Sequence, residues 1–134
     1  MDEKTKKILV VDDDSLVLTL VDHALRSSGF HVITAHDGRD ALERVGDCRP
    51  AVVIALIDVM LPGMNGKELA TKLLSFCPGI RIIFMSGYGP DIAEAAIPGH
   101  NRPFLEKPFD LDDLLKIIRQ ELAALSRPAP GTDD

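Results

Sequence analysis

The sequence predicts an α/β fold: a doubly wound, five-stranded parallel sheet with helices on both faces. Three observations point there. Apolar, β-rich runs alternate with segments of helical spacing, as in consecutive β/α units. One run, Ala51–Ile57 (AVVIALI), is apolar throughout, as expected of a central strand covered on both sides. Polar and charged residues collect just past the ends of the runs, where doubly wound sheets bind ligands. Right-handed crossovers leave little other topology for such a pattern.

The elements follow in order. Lys7–Val11 is the first strand. Asp14 opens a helix over Ser15–Ser28, whose apolar face includes Leu16, Leu20, Ala24 and Leu25 and which stops at Gly29. His31–Ala35 is the second strand. Asp37 caps a short helix, Arg39–Val45, ending near Gly46. Ala51–Ile57 is the third strand. The loop "LPGMNG" at 61–66 leads to Asn65, a cap for the helix Lys67–Ser75. Ile80–Met85 is the fourth strand. Gly87 to Arg102 carries only a weak helical pattern near Asp91–Ile97, interrupted by Pro98 and Gly99. Pro103–Leu105 is a very short fifth strand. Asp110 caps a helix over Leu111–Leu125, with Leu111, Leu114, Leu115, Ile118 and Leu122 as its apolar stripe. The 134 residues fit one domain, expected over 7–125, with a short lead at 1–6 and a tail at 126–134 that reads as disordered.

Composition excludes several classes of function. The formal net charge is −6, which argues against nonspecific binding to nucleic acid or anionic membrane. No apolar run approaches the roughly 20 residues of a transmembrane helix. The opening MDEKTKK lacks the apolar segment of a signal peptide. A cytoplasmic location is the expectation. Cys48 and Cys77 have no metal-ligand spacing and read as two free thiols.

The chemistry begins at "VVDDDS", residues 10–15, with three aspartates in a row behind a buried strand. Adjacent like charges repel, so such a run calls for a cation or for a structural task at one of its members. Past the five strand ends stand Asp12–Asp14, Asp37, Asp58, Ser86 and Glu106–Lys107. Several carboxylates and one lysine at one sheet edge suit a hard divalent cation with oxygen ligands.

"ILVVDDDS", "ALIDVMLPGMNG", "IIFMSGYG" and "FLEKPF", in this order and spacing, resemble the receiver domain of two-component response regulators over about residues 7–125. The stretch "FMSGYG" is most similar to stand-alone receivers and those attached to hybrid histidine kinases. The resemblance implies a flavodoxin-like sheet in strand order 2-1-3-4-5. It implies Asp58 as phosphoacceptor, and Mg²⁺ (or Mn²⁺) held by Asp12, Asp13, Asp58 and the backbone carbonyl of Met60. It implies Ser86 and Lys107 on the phosphoryl group, Phe104 as a switch aromatic with Ser86, and a cis bond between Lys107 and Pro108. Ser stands at 86 where the family more often has Thr, and Phe at 104 where it often has Tyr. Implied partners are a sensor histidine kinase or phosphotransfer protein, and a downstream protein on the face of the fourth helix, fifth strand and last helix. A monomer or weak dimer is expected, with no nucleic-acid partner and no membrane insertion. The only catalysis implied is the protein's own phosphotransfer and slow autodephosphorylation. Met60 and Tyr88, two residues beyond Asp58 and Ser86, are expected to flank the attacking water.

Two other readings stay open. A degenerate receiver would act only as a docking module. A phosphohydrolase similar to the haloacid dehalogenases would use Asp12 as nucleophile in a D-x-D pattern with Asp14, Ser86 and Lys107. It would leave Asp58 without a role and place its last acidic pair, Asp112–Asp113, in a helix. His23 reads as a partly buried residue of the first helix; His31, His36 and His100 have no acidic partner at metal spacing and are assigned no role.

Overall fold

The computed structural model describes residues 6–46, 52–87 and 103–125. Five strands, β1 (Lys7–Val11), β2 (His31–Ala35), β3 (Val52–Asp58), β4 (Arg81–Ser86) and β5 (Phe104–Glu106), form one parallel sheet in order β2-β1-β3-β4-β5. Four helices are described: α1 (Ser15–Ser27), α2 (Gly38–Val45), α3 (Gly66–Phe76) and α4 (Leu111–Leu125). The expected class and strand order are those observed. The weak helix near Asp91–Ile97 and the tail at 126–134 lie outside the described residues.

Alternation along the strands divides the core into two layers. Leu9, Val11, Ala55, Ile57, Ile82 and Phe84 pack with Ala41 and Val45 of α2 and Leu69, Ala70 and Leu73 of α3. Ile8, Val10, Ile54, Leu56, Ile83 and Met85 pack with Val21, Ala24 and Leu25 of α1 and Leu114, Ile118 and Leu122 of α4. Both faces of β1, β3 and β4 are therefore dry. That explains why their sequences are nearly unbroken apolar runs rather than alternating ones.

Strand ends differ from expectation in a way that matters for the site. Three residues read as lying just past the strands, Asp58, Ser86 and Glu106, are the last residues of β3, β4 and β5. The ladder extends to include them: Asp58 pairs with Met85 and Ser86 with Glu106. Polar side chains at a strand's C-terminal edge do not interrupt backbone pairing, so the hydrophobic run ends before the strand does.

The helix starts follow their caps. Asp14 accepts from Leu16 N–H at 2.9 Å, Asp37 from Asp40 N–H at 2.7 Å, and Asn65 from Glu68 N–H at 2.9 Å. Glu68 returns a bond to Asn65 N–H, which completes a capping box. One expectation is corrected. Cys77, buried at the end of α3, is disulfide-bonded rather than a free thiol. Cysteine spacing reports local metal motifs, not contacts made through the fold. Cys48 lies outside the described residues.

Candidate functional site

The site lies at the C-terminal edge of the sheet, where β1 and β3 run side by side. Asp12 follows β1, and its N–H donates to the carbonyl of Ala35 at the end of β2, at 3.2 Å. Asp58 ends β3. Each of Asp12, Asp13 and Asp58 offers one carboxylate oxygen, and these oxygens lie within 4.8 Å of one another. Asp12 is fully buried and Asp58 nearly so, whereas Asp13 is exposed.

Lys107, immediately after β5, reaches into this cluster. Its ammonium lies 2.5 Å from Asp12 Oδ2 and donates to Asp58 Oδ2 at 2.9 Å. The approach to Asp12 is that of an ion pair and not of an aligned hydrogen bond, so this buried oxygen keeps no directed donor. The other oxygens are held by local backbone: Asp12 Oδ1 accepts from Asp14 N–H and Asp58 Oδ1 from Met60 N–H, both at 2.9 Å. Burial pushes the Asp12 carboxyl above its ordinary range, and the Asp58 charge adds to this, against the pull of Lys107 and the Asp14 N–H. Burial alone would lower the Lys107 ammonium. The two carboxylates outweigh it and hold the group above the usual lysine value. The lysine thus gains from the cluster, while Asp12 is still short of positive charge.

A divalent cation fits this donor set. Three converging carboxylate oxygens are hard ligands, suited to Mg²⁺ or Mn²⁺. The buried Asp12 Oδ2 is the atom whose electrostatic demand such an ion would meet.

Of the residues singled out in the sequence, Asp12, Asp13, Asp58 and Lys107 come together directly. Ser86 is fully buried beside Asp58's partner Met85. Strand alternation puts Ser86 on the same face as Phe104, which is part-buried against the α2/α3 core layer. Lys107 N–H donates to the Ser86 carbonyl at 2.7 Å, tying the two strand ends. The Lys107–Pro108 bond is cis. Met60 is exposed, at 47%. Tyr88 lies outside the described residues. Asp14 caps α1 and is not a member of the carboxylate cluster.

Sequence reasoning missed Gly66. A Cβ at this position would lie 2.7 Å from the Asp58 carbonyl oxygen and 2.9 Å from Val59 Cα, both backbone atoms. Only glycine lets α3 start so close under the end of β3. The signal was present: a glycine at the first helical position, directly after a good cap, gives up helix propensity for something.

An apolar groove of about 400 Å³ runs beside the cluster between α1 and the start of α4, lined among others by Val17, Leu20, Pro108, Phe109 and Leu111 and reaching Lys107. Leu16 and Leu20 on the same helix are well exposed. No helix among the described residues is long and apolar enough to cross a membrane.

The comparisons agree with this geometry. The family model "Response regulator receiver domain" matches residues 8–119. The chain is similar to the response regulator receiver protein CpdR of Brucella abortus, 32% identical over 123 residues, covering 89% of this chain and 98% of that one. It is also similar to the probable transcriptional regulatory protein TcrX of Mycobacterium tuberculosis, 34% identical over 95% of this chain; here it spans about half of the relative's length, 53%. Among solved structures, a response regulator receiver domain protein from Methanospirillum hungatei superposes with a TM-score of 0.77 at 30% identity, covering 90% of this chain and 96% of that one. With its sheet order, its strand-end aspartates and these matches, the chain belongs to the receiver domain family of two-component response regulators.

Proposed function

We propose that this receiver takes a phosphoryl group from a phosphohistidine donor onto Asp58 and uses the change to switch a partner-binding face. The observation that carries the reading is the convergence of Asp12, Asp13, Asp58 and Lys107 at one sheet edge. An Asp58 oxygen attacks phosphorus, the P–N bond breaks, and the donor imidazole nitrogen keeps the electron pair. Nucleophile and substrate are both anionic, so the residues work by positioning and charge neutralisation. Asp12, Asp13, Asp58 and the Met60 carbonyl would hold Mg²⁺ or Mn²⁺. When bound, the cation would neutralise charge on the phosphoryl oxygens.

Lys107 leaves its bridge between the carboxylates and turns onto the phosphoryl group as a flexible point charge. Ser86 donates its hydroxyl to the same group. Phe104, on the same strand face, repacks as Ser86 moves, and the surface of β5 and α4 changes for a downstream partner. The apolar groove beside Lys107, with exposed Leu16 and Leu20 on α1, suits docking of a helical donor, a sensor kinase or phosphotransfer protein. Exposed Met60 flanks the water that would hydrolyse the acyl phosphate, and its apolar bulk slows that step. The expected cytoplasmic location follows from the proposed histidine-kinase partners, and the Cys77 disulfide runs against it, since such bonds are rare in a reducing compartment.

Incubation with Mg²⁺ and a small phosphodonor, followed by intact mass, tests this. One added phosphoryl group per chain is expected, absent in Asp58→Asn. Steady release of phosphate from many substrates would instead indicate a hydrolase. No adduct under any donor would indicate a docking module.

A further inference from the structure

Gly38 is the first residue of α2 and is buried. Its backbone is not in the left-handed region, so conformational freedom does not account for a glycine there. Space does. A Cβ on Gly38 would lie 2.8 Å from Met64 Sδ, 3.2 Å from Met64 Cβ and 3.3 Å from Met64 Cγ. The thioether tip could rotate aside, but the Met64 Cβ cannot retreat without its backbone. Met64, part-buried against the core beneath α2 and α3, therefore sits directly on the start of α2.

Met64 belongs to the segment between Asp58 and Gly66, whose ends are firmly held. Val59 N–H donates to the Met85 carbonyl at 2.9 Å and Gly66 N–H to the Val59 carbonyl at 3.0 Å. Near the start, Met60 N–H donates to Asp58 Oδ1 at 2.9 Å. The far end is tied by the Asn65 capping box. Met64 fixes the span between these anchors against a different β/α unit. β2 and β3 flank β1 in the sheet, so the contact reaches across the β1 end, where Asp12 and Asp13 lie.

We propose that Gly38 and Met64 form a packing latch that positions the Asp58–Gly66 loop, and with it Met60, for the acidic site. Both are positioning residues, remote from the reacting atoms. The proposal deepens the phosphoacceptor reading and rests on it for its consequence, though the latch itself is a statement about the loop. A one-methyl change on α2 should then be felt at Asp58, because supporting contacts behind a metal ligand typically change affinity tenfold or more.

The test is a double-mutant cycle on the full chain: Gly38→Ala, Met64→Ala and both together. Two quantities are read: amide hydrogen exchange of Met60 in metal-free protein, and Mn²⁺ affinity by water-proton relaxation. Gly38→Ala should speed Met60 exchange and weaken Mn²⁺ binding about tenfold. The double variant should recover part of that loss, because alanine at 64 removes the nearest contact, Sδ at 2.8 Å, and Cγ at 3.3 Å, while the Cβ at 3.2 Å stays. A merely structural glycine predicts the opposite, since alanine is the better helix former. Wild-type exchange and Mn²⁺ affinity in Gly38→Ala, or strict additivity in the double variant, would overturn the latch. If the wild-type protein binds no Mn²⁺, the functional reading falls, and Met60 exchange across the same cycle still decides the latch.

Discussion

Asp12 is buried, and its Oδ2 has the Lys107 ammonium beside it as an ion pair without an aligned hydrogen bond. Its carboxyl is raised from the ordinary 3.8. The stability it contributes is therefore complete below that value and is lost as pH rises through the folded value. Near neutral pH the metal-free protein carries this cost, as functional sites commonly do. Asp12→Asn removes it while Lys107 keeps Asp58 as a partner. We expect the metal-free variant to melt higher by about 3 °C, roughly 1 kcal/mol, and to lose most of the stabilisation that Mg²⁺ gives the wild type. Thermal melts with and without Mg²⁺ read both, and a lower melting temperature in metal-free Asp12→Asn would contradict this account. The acidic run made Asp12, Asp13 and the capping role of Asp14 legible in the sequence, because adjacent like charges demand a reason. The bridge from Lys107 to both Asp12 and Asp58 was not legible. Spacing along a chain does not say which way a flexible side chain turns when no phosphoryl group is present.

At the level of elements, helix starts set the geometry of the site. Gly66 lets α3 begin against the carbonyl of Asp58. In Gly66→Ala the new Cβ meets backbone that cannot yield cheaply, so we expect a loss of about 2 kcal/mol or more and weaker cation binding. Denaturant unfolding and Mg²⁺ titration of the same variant check the two together. At α2, Asp40 accepts from Arg44 at 2.9 Å and from His36 N–H at 3.3 Å. Partial burial raises its carboxyl, but Arg44 and the His36 N–H outweigh this and hold it below 3.8. A lowered carboxyl contributes stability above its unfolded value and loses it as pH falls through the folded one. Asp40→Asn should therefore cost about 1 kcal/mol at neutral pH, with the difference from wild type closing below about pH 3.8. Urea unfolding at a series of pH values would show it; a difference that persists in acid would be at odds with this assignment. The caps at Asp14, Asp37 and Asn65 were readable one by one, since each is a side-chain oxygen before a periodic segment. Strand ends were misjudged because backbone pairing outlasts the apolar run.

Across the whole molecule, the sheet separates two core layers, and the site uses both. By strand alternation Ser86 and Phe104 share the α2/α3 face, while Lys107 reaches Asp12 and Asp58 from β5. On the opposite edge, Arg81 at the start of β4 donates to Glu121 of α4 at 2.9 Å, a part-buried pair that ties this helix to the sheet. The sequence showed neither this pair nor the latch at Gly38, because both depend on how helices settle on the sheet. It did show the architecture, since buried parallel strands and crossover helices leave a pattern that few other folds share.

The central claim is that Asp58, not Asp12, accepts the phosphoryl group. An acyl phosphate reduced by borohydride becomes a stable alcohol, so the modified residue can be located by peptide mass after Mg²⁺-dependent phosphorylation. We predict reduction at position 58 alone, with residues 12–14 unchanged. Label on Asp12, with Asp58 intact, would contradict the account and restore the hydrolase reading.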